Sequence, residues 1–190
     1  EKLTGLKKIK SAIFISGTGS NLKNIIKFSK QKRSPITIDL ILSDNYLAKG
    51  LKFADQFNIT KKIFNFRKSK DTENNILTLL KKEKIKFICL AGFMKILSKN
   101  FIKRFDGKII NIHPSLLPKY KGLNTHHRAL INGDKFTGCT VHYVTEKLDS
   151  GKIIMQKKIK IDDKDTLISL TKKVLKQEHK LYPAAIMKIF

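Results

Sequence analysis

The chain has 190 residues, of which 41% are hydrophobic, and this composition predicts one folded domain and excludes a disordered chain. No apolar run reaches the roughly 18 residues of a membrane span, and the first ten residues carry four lysines, so neither membrane anchor nor signal peptide is expected. The net charge of +25 would suit a nucleic-acid partner, but only four of the 40 basic residues are arginine, the residue that most often reads bases. We therefore expect no nucleic-acid partner, since attraction of small anions explains the charge as well.

Up to residue 113, apolar runs typical of strands alternate with segments of helical period. Strands are predicted at 10–16, 36–43, 61–64, 85–91 and 108–113, and helices at 21–30, 47–57, 71–82 and 98–105. Ser20 is a possible N-cap of the first helix. Apolar strands joined by helical crossovers favour a mostly parallel, open twisted sheet with helices on both faces.

The pattern changes after residue 113. A loop over 114–125 is followed by a helix at 126–132, strands at 138–144 and 152–161, and a helix at 166–189 with a break or kink at Pro183. The seven residues between the last two strands are too few for a helical crossover, so this portion is predicted to be antiparallel. Cys89 and Cys139 lie in apolar segments and are expected to be buried free thiols in a reducing, cytoplasmic compartment. The fold class is therefore α/β, with a single domain over 1–190.

A glycine-containing turn, Ser16-Gly17-Thr18-Gly19-Ser20-Asn21-Leu22, joins the first strand to the first helix. Backbone amides at a helix N-terminus favour an anion, so the turn is interpreted as a phosphate loop. A dinucleotide fingerprint would have a third glycine where Leu22 stands. An ordinary strand-to-helix turn is the alternative interpretation.

Polar side chains that could carry chemistry lie at the end of the strand over 108–113. Asn111 and His113 are two residues apart and so face one side, at the carboxyl end where open α/β sheets place their sites. An amide can donate to an oxyanion, and an imidazole can hold or deliver a proton. Asp149 would orient the imidazole if it lay nearby, although an aspartate before glycine is most often a turn residue. No Cys/His spacing predicts a metal site, and His142 is interpreted either as a packing residue or as a residue that supports the catalytic side chains from behind.

Three longer motifs carry a family resemblance. The stretch from Asn111 to Tyr120 with Gly122, then Gly138-Cys139-Thr140-Val141-His142, then Asp149-Ser150-Gly151, resembles the folate-dependent formyltransferase family. The turn at residues 16–22, the run over 91–97 and Gln177-Glu178-His179 with Tyr182-Pro183 resemble the branch that acts on a ribonucleotide amine.

The resemblance implies the formyltransferase fold and transfer of the formyl group of 10-formyltetrahydrofolate to glycinamide ribonucleotide, a step of purine biosynthesis. It makes Asn111, His113 and Asp149 catalytic. The implied substrate-phosphate residues are Gly19, Ser20 and Asn21. The implied folate-binding residues are Met94, Lys95, Ile96, Leu97, Asn111, Thr145, Glu146, Lys147, Leu148 and Asp149. Glu178, which by default would be a solvated helix charge, is implied to bind substrate.

In the implied mechanism, Asn111 and protonated His113 stabilise the oxyanion, and Asp149 helps to pass the proton. Small-molecule substrates, no tightly bound cofactor, no metal and a monomer or homodimer are expected. The family arginine near 70–73 is missing here, and Arg67, Lys68 or Lys70 could replace it. The alternatives are formylation of methionyl-tRNA, hydrolysis of formyltetrahydrofolate, and a basic nucleic-acid-binding module on an inactive enzyme fold.

Overall fold

A computed structural model describes residues 7–66 and 69–190, and it divides the chain into two compact units. The first unit runs to Ile109 and includes Phe190, and the second comprises Ile110–Ile189. Among the described residues, no helix is both long and apolar enough to traverse a bilayer. The prediction that the whole chain forms one domain stays a prediction.

Parallel strands form the sheet of the first unit, in the order β3-β2-β1-β4. The strands are β1 (Ile9–Ile15), β2 (Ile36–Ser43), β3 (Thr60–Ile63) and β4 (Phe87–Leu90), and the helices are α1 (Ser20–Ser29), α2 (Leu51–Gln56), α3 (Ser69–Lys82) and α4 (Lys99–Arg104). All four residues of β3, which lies at the edge of this sheet, are exposed.

The centre of the first unit is an apolar core. Successive residues of β1 from Ala12 to Ile15 are fully buried, so both faces of this strand are covered. Leu22, Ile25 and Ile26 recur at helical spacing on α1 and are also fully buried. Truncating one of these side chains to alanine would cost about 2–5 kcal/mol. The unit therefore provides a rigid base for the loops at the carboxyl ends of its strands.

Antiparallel strands form the sheet of the second unit, in the order β5-β6-β7, and β5 begins two residues before this unit. The strands are β5 (Lys108–His113), β6 (Phe136–Tyr143) and β7 (Ile153–Lys160), and the helices are α5 (Thr125–Ile131) and α6 (Leu167–Ile189). The Tyr182 hydroxyl on α6 is buried and donates to the carbonyl of Ile110 on β5. The parallel first unit and the antiparallel second unit confirm the predicted α/β class and its change after residue 113.

Three local predictions need correction. Helix α2 starts at Leu51 rather than residue 47, because Asn45 Oδ1 accepts from the Leu47 amide and holds a turn there. The N-cap of α1 is Gly19 rather than Ser20, which is already helical. Helix α6 continues through Pro183, so of the predicted break or kink the break does not occur.

Candidate active site

Strand β5 positions two of the predicted catalytic side chains. Asn111 and His113 leave the same face of the strand, and opposite them on antiparallel β6 lie His142 and Thr140. Asn111 Nδ2 is 3.4 Å from His142 Nε2, and the side chain of His113 is buried. A polar cluster therefore lies at the carboxyl end of β5, as the spacing of the two residues predicts.

The third predicted catalytic residue, Asp149, comes from the loop between β6 and β7 and has a left-handed backbone with φ of 45°. Its Oδ2 lies 3.4 Å from His113 Nδ1 and accepts a 2.8 Å hydrogen bond from the Gly122 amide. Its Oδ1 lies 3.7 Å from His142 Nε2. The buried carboxylate is therefore between two imidazoles, and the loop conformation brings it to the strand where sequence alone could not place it.

The hydrogen bonds of His113 define where its protons lie. His113 Nε2 is 2.8 Å from the carbonyl oxygen of Tyr120, and a carbonyl can only accept, so Nε2 carries a hydrogen. Nδ1 faces the Asp149 carboxylate, which also accepts only when ionised. The two groups are complementary once Nδ1 binds a proton. A proton on Nδ1 would therefore be paired with the Asp149 carboxylate.

Opposing effects act on the pKa values of this pair. Burial lowers the pKa of His113 below its ordinary 6.5, although the Tyr120 carbonyl and the charge of Asp149 act to raise it. Burial acts to raise the pKa of Asp149, but its contacts with His142, the Gly122 amide and His113 outweigh that effect and lower it. At neutral pH His113 is therefore a neutral base beside an ionised carboxylate.

His142 lies beside Asn111 and Asp149, which agrees with the second of its two predicted roles, support of the catalytic side chains, rather than with packing alone. Its Nδ1 donates to the carbonyl of Tyr143 at 2.9 Å, and its Nε2 is 3.4 Å from Asn111 Nδ2. Nε2 also faces Asp149. Its place beside Asn111 follows from the pairing register of β5 and β6. The sequence alone does not show which residues of two strands lie opposite each other.

The glycine turn of the first unit has the backbone geometry of a tight loop. Gly19 has a φ of 74°, and a Cβ placed there would lie 2.6 Å from Cα of Gly50. Ser20 and Asn21 follow it as the first residues of α1, and Asn21 is buried. Only glycine fits at residue 19, which explains its presence without assigning a ligand.

The two segments predicted to bind folate have the same pattern of exposure, with exposed residues followed by one buried residue. In the first unit, Met94 and Ile96 are exposed, Lys95 Nζ is 3.9 Å from Asp44, and Leu97 is buried. The Met94 amide donates to Ser16 Oγ, which ties this segment to the glycine turn. In the second unit, the predicted residues are Thr145, Glu146, Lys147, Leu148 and Asp149, of which Leu148 is exposed and Asp149 buried.

Glu178 on α6 is buried, so the default interpretation as a solvated helix charge is wrong. Burial, reinforced by the negative charge of Glu178, raises the pKa of the Cys139 thiol to about 12. Cys139 and Cys89 are both buried and neither forms a disulfide, which confirms the prediction of buried thiols. With this pKa, Cys139 is un-ionised and chemically inert at neutral pH.

Some predicted positions are not described. Arg67 and Lys68, considered as replacements for the family arginine, lie outside the described residues, as does the side chain of Lys70. Over residues 7–66 and 69–190, no group of three or more His, Cys, Asp and Glu side chains could hold a metal ion.

Comparisons with known proteins identify the family of this chain. The family model described as "Formyl transferase" matches residues 9–186. Phosphoribosylglycinamide formyltransferase of Haemophilus influenzae is 41% identical, with 95% of this chain and 86% of that protein covered. The human trifunctional purine biosynthetic protein adenosine-3 is also 41% identical, but this chain spans only 18% of its length. The crystal structure of phosphoribosylglycinamide formyltransferase from Brucella melitensis superimposes with a TM-score of 0.91 at 44% identity, covering 96% of both chains. The chain belongs to the formyl transferase family.

Proposed function

We propose that this chain transfers the formyl group of 10-formyltetrahydrofolate to the amine of glycinamide ribonucleotide, in purine biosynthesis. The observation that carries the proposal is the buried pair of His113 Nδ1 and Asp149 Oδ2, 3.4 Å apart, with the Asn111 amide on the same strand face as His113. The named activity of the Haemophilus and Brucella relatives supports the choice of substrate.

The first step is attack of the substrate amine on the formyl carbon. A carbon–nitrogen bond forms, the formyl oxygen becomes an oxyanion, and the attacking nitrogen becomes positively charged. The Asn111 amide donates to the oxyanion, a contribution typically worth about 10²–10³ in rate. Because burial keeps His113 neutral, its Nδ1 can take the proton released by the attacking nitrogen.

The second step is collapse of the tetrahedral intermediate. Protonated His113 is stabilised by Asp149 on one side and by the Tyr120 carbonyl on the other, and its charge also favours the oxyanion. The proton then passes to the departing folate nitrogen, directly or through water. The bond between that nitrogen and the formyl carbon breaks, which releases tetrahydrofolate and the formylated amine.

The substrate phosphate is proposed to bind at Gly19, Ser20 and Asn21, where the N-terminus of α1 favours an anion. Glu178 is proposed to contact the glycinamide ribonucleotide, and the segments 94–97 and 145–149 to contact folate. The single family match over residues 9–186 supports one domain acting as a unit. We also propose that the protein is cytoplasmic and is a monomer or a homodimer. We propose that it uses no metal and no tightly bound cofactor.

The test is an assay that measures both products of the reaction. The protein is incubated with 10-formyltetrahydrofolate and glycinamide ribonucleotide, and tetrahydrofolate is followed by absorbance while the formylated ribonucleotide is followed by mass spectrometry. Equal amounts of both products are expected, with no tetrahydrofolate when the amine is omitted. Equal turnover in water alone would identify a deformylase and overturn the proposal.

A further inference from the structure

A row of three side chains crosses the antiparallel sheet of the second unit. His113 on β5 is directly opposite Thr140 on β6, and Thr140 is directly opposite Gln156 on β7. Directly opposed residues of antiparallel strands share a face and lie close together. Gln156 is therefore aligned with the catalytic imidazole through one intervening side chain, although it is two strands away.

The hydroxyl of Thr140 connects this row to the loop that follows β5. It donates to the carbonyl of Ser115 at 2.7 Å and accepts from the Leu117 amide at 3.2 Å and from Gln156 Nε2 at 2.9 Å. A hydroxyl has one hydrogen and two lone pairs, so its bonding capacity is fully used. Thr140 is completely buried, which makes every one of these bonds costly to lose.

The amide of Gln156 holds the same loop directly. Its Nε2 also donates to the carbonyl of Leu117 at 2.8 Å, so both the N–H and the C=O of Leu117 are bonded to the row. Further along, Ser115 Oγ donates to the carbonyl of Lys119 at 2.6 Å. The next carbonyl, that of Tyr120, accepts from His113 Nε2. The loop that follows His113 is therefore bonded to Thr140 and Gln156 at Leu117. Its Tyr120 carbonyl then accepts from the His113 imidazole.

We propose that Gln156 is a positioning residue for His113, an inference that rests on the proposed function. Its two donor hydrogens fix Leu117 and orient Thr140, and this fixes the loop so that the Tyr120 carbonyl meets Nε2. The hydrogen of the neutral ring then stays on Nε2, and Nδ1 is left open to take the proton in front of Asp149. Without Gln156 the loop would relax, and part of the His113 population would carry its hydrogen on Nδ1, so that this nitrogen could no longer take the proton.

Two substitutions of Gln156 remove its hydrogen-bond donors and should disturb the loop to different degrees. Gln156→Leu keeps the size but removes both donors. Gln156→Glu is more disruptive, because a carboxylate would face the Leu117 carbonyl with acceptors in place of donors. The side chain of Gln156 is exposed, so neither change should unfold the protein. Lys160→Leu, at another exposed residue of β7, is the matched control.

The experiment measures the ring nitrogens of His113 by ¹⁵N NMR together with kcat and KM. The wild type and Lys160→Leu should show the hydrogen on Nε2 and the same kcat. Gln156→Leu should show a mixture of the two neutral forms, with kcat about tenfold lower and both KM values nearly unchanged. Gln156→Glu should lower kcat further. Thr140→Ser, which keeps the hydroxyl, should stay close to wild type.

Two results would overturn the inference. The first is an unchanged hydrogen position on His113 in both Gln156 variants, whatever happens to kcat. The second is a mixed population with a normal kcat. The NMR measurement needs no turnover, so it reports on the positioning role even if the wild type fails to formylate glycinamide ribonucleotide. That failure would refute the proposed function alone.

Discussion

Replacement of Asp149 by asparagine isolates the electrostatic part of the proposed mechanism. The change keeps the size of the side chain but removes a charge 3.4 Å from His113 Nδ1. At that separation, with an effective dielectric constant of about 20, the attraction to an imidazolium is about 5 kcal/mol, an upper value before compensation by solvent and loop relaxation. If about half of this attraction remains after that compensation, kcat should fall by roughly 30- to 150-fold. The loss belongs to the transition state, because the resting imidazole is neutral.

The assay is steady-state kinetics of both substrates, with tetrahydrofolate release as the signal. Both KM values should stay within about threefold of wild type, since the charge pair forms only during reaction. Asp165→Asn is the control, because it also removes an ion-paired carboxylate of the second unit, the one held by Lys173. That variant should keep its kcat. A kcat for Asp149→Asn within threefold of wild type would refute the reasoning.

Four further predictions follow from the same geometry and charge. His113→Ala should lower kcat sharply, and combining it with Asp149→Asn should be hardly worse than the worse single change; fully additive losses would contradict a shared role. NMR titration should give a His113 pKa below 6.5, and a still lower one in Asp149→Asn, because the negative charge that raises this pKa is gone. The kcat of the wild type should therefore fall as the pH drops through the lowered pKa of His113. A higher His113 pKa in Asp149→Asn than in the wild type would contradict this prediction. Gly19→Ala should reduce the free energy of unfolding by about 1–3 kcal/mol in urea melts, from its positive φ and the contact with Gly50; an unchanged midpoint would be inconsistent with this backbone. Raising the ionic strength should lower kcat/KM moderately, and tight tRNA binding at physiological salt would instead favour the nucleic-acid alternative.

Much of the first unit could be predicted from sequence because its signals are local. The apolar run of β2 is bounded correctly at Ile36 and Ser43, and the helical spacing in α1 identifies its buried face. The start of α2 was wrong because Asn45 forms a turn through its own side chain. Periodicity does not detect a side chain that competes with the helix for a backbone amide.

The candidate site was only partly predictable, for a different reason. Asn111 and His113 are two residues apart on one strand, so their shared face follows from strand geometry alone. The approach of Asp149 to His113, and of His142 to Asn111, depends on strand register and loop conformation. Gln156 gave no sequence signal at all, because its contacts with the loop exist only after three strands have paired.

The exposed edge strand β3 has a consequence for how copies of this chain meet. An unpaired strand edge offers amides and carbonyls to any strand that approaches, and this is a common route to aggregation. Lys61 and Lys62 occupy half of the four residues of β3. Lys61 is paired with Asp55 at 2.6 Å, so the charge that a second copy arriving edge to edge would meet is mainly that of Lys62, and its repulsion opposes the encounter. Added salt weakens that repulsion, so colloidal stability at high concentration should depend on the ionic strength of the buffer.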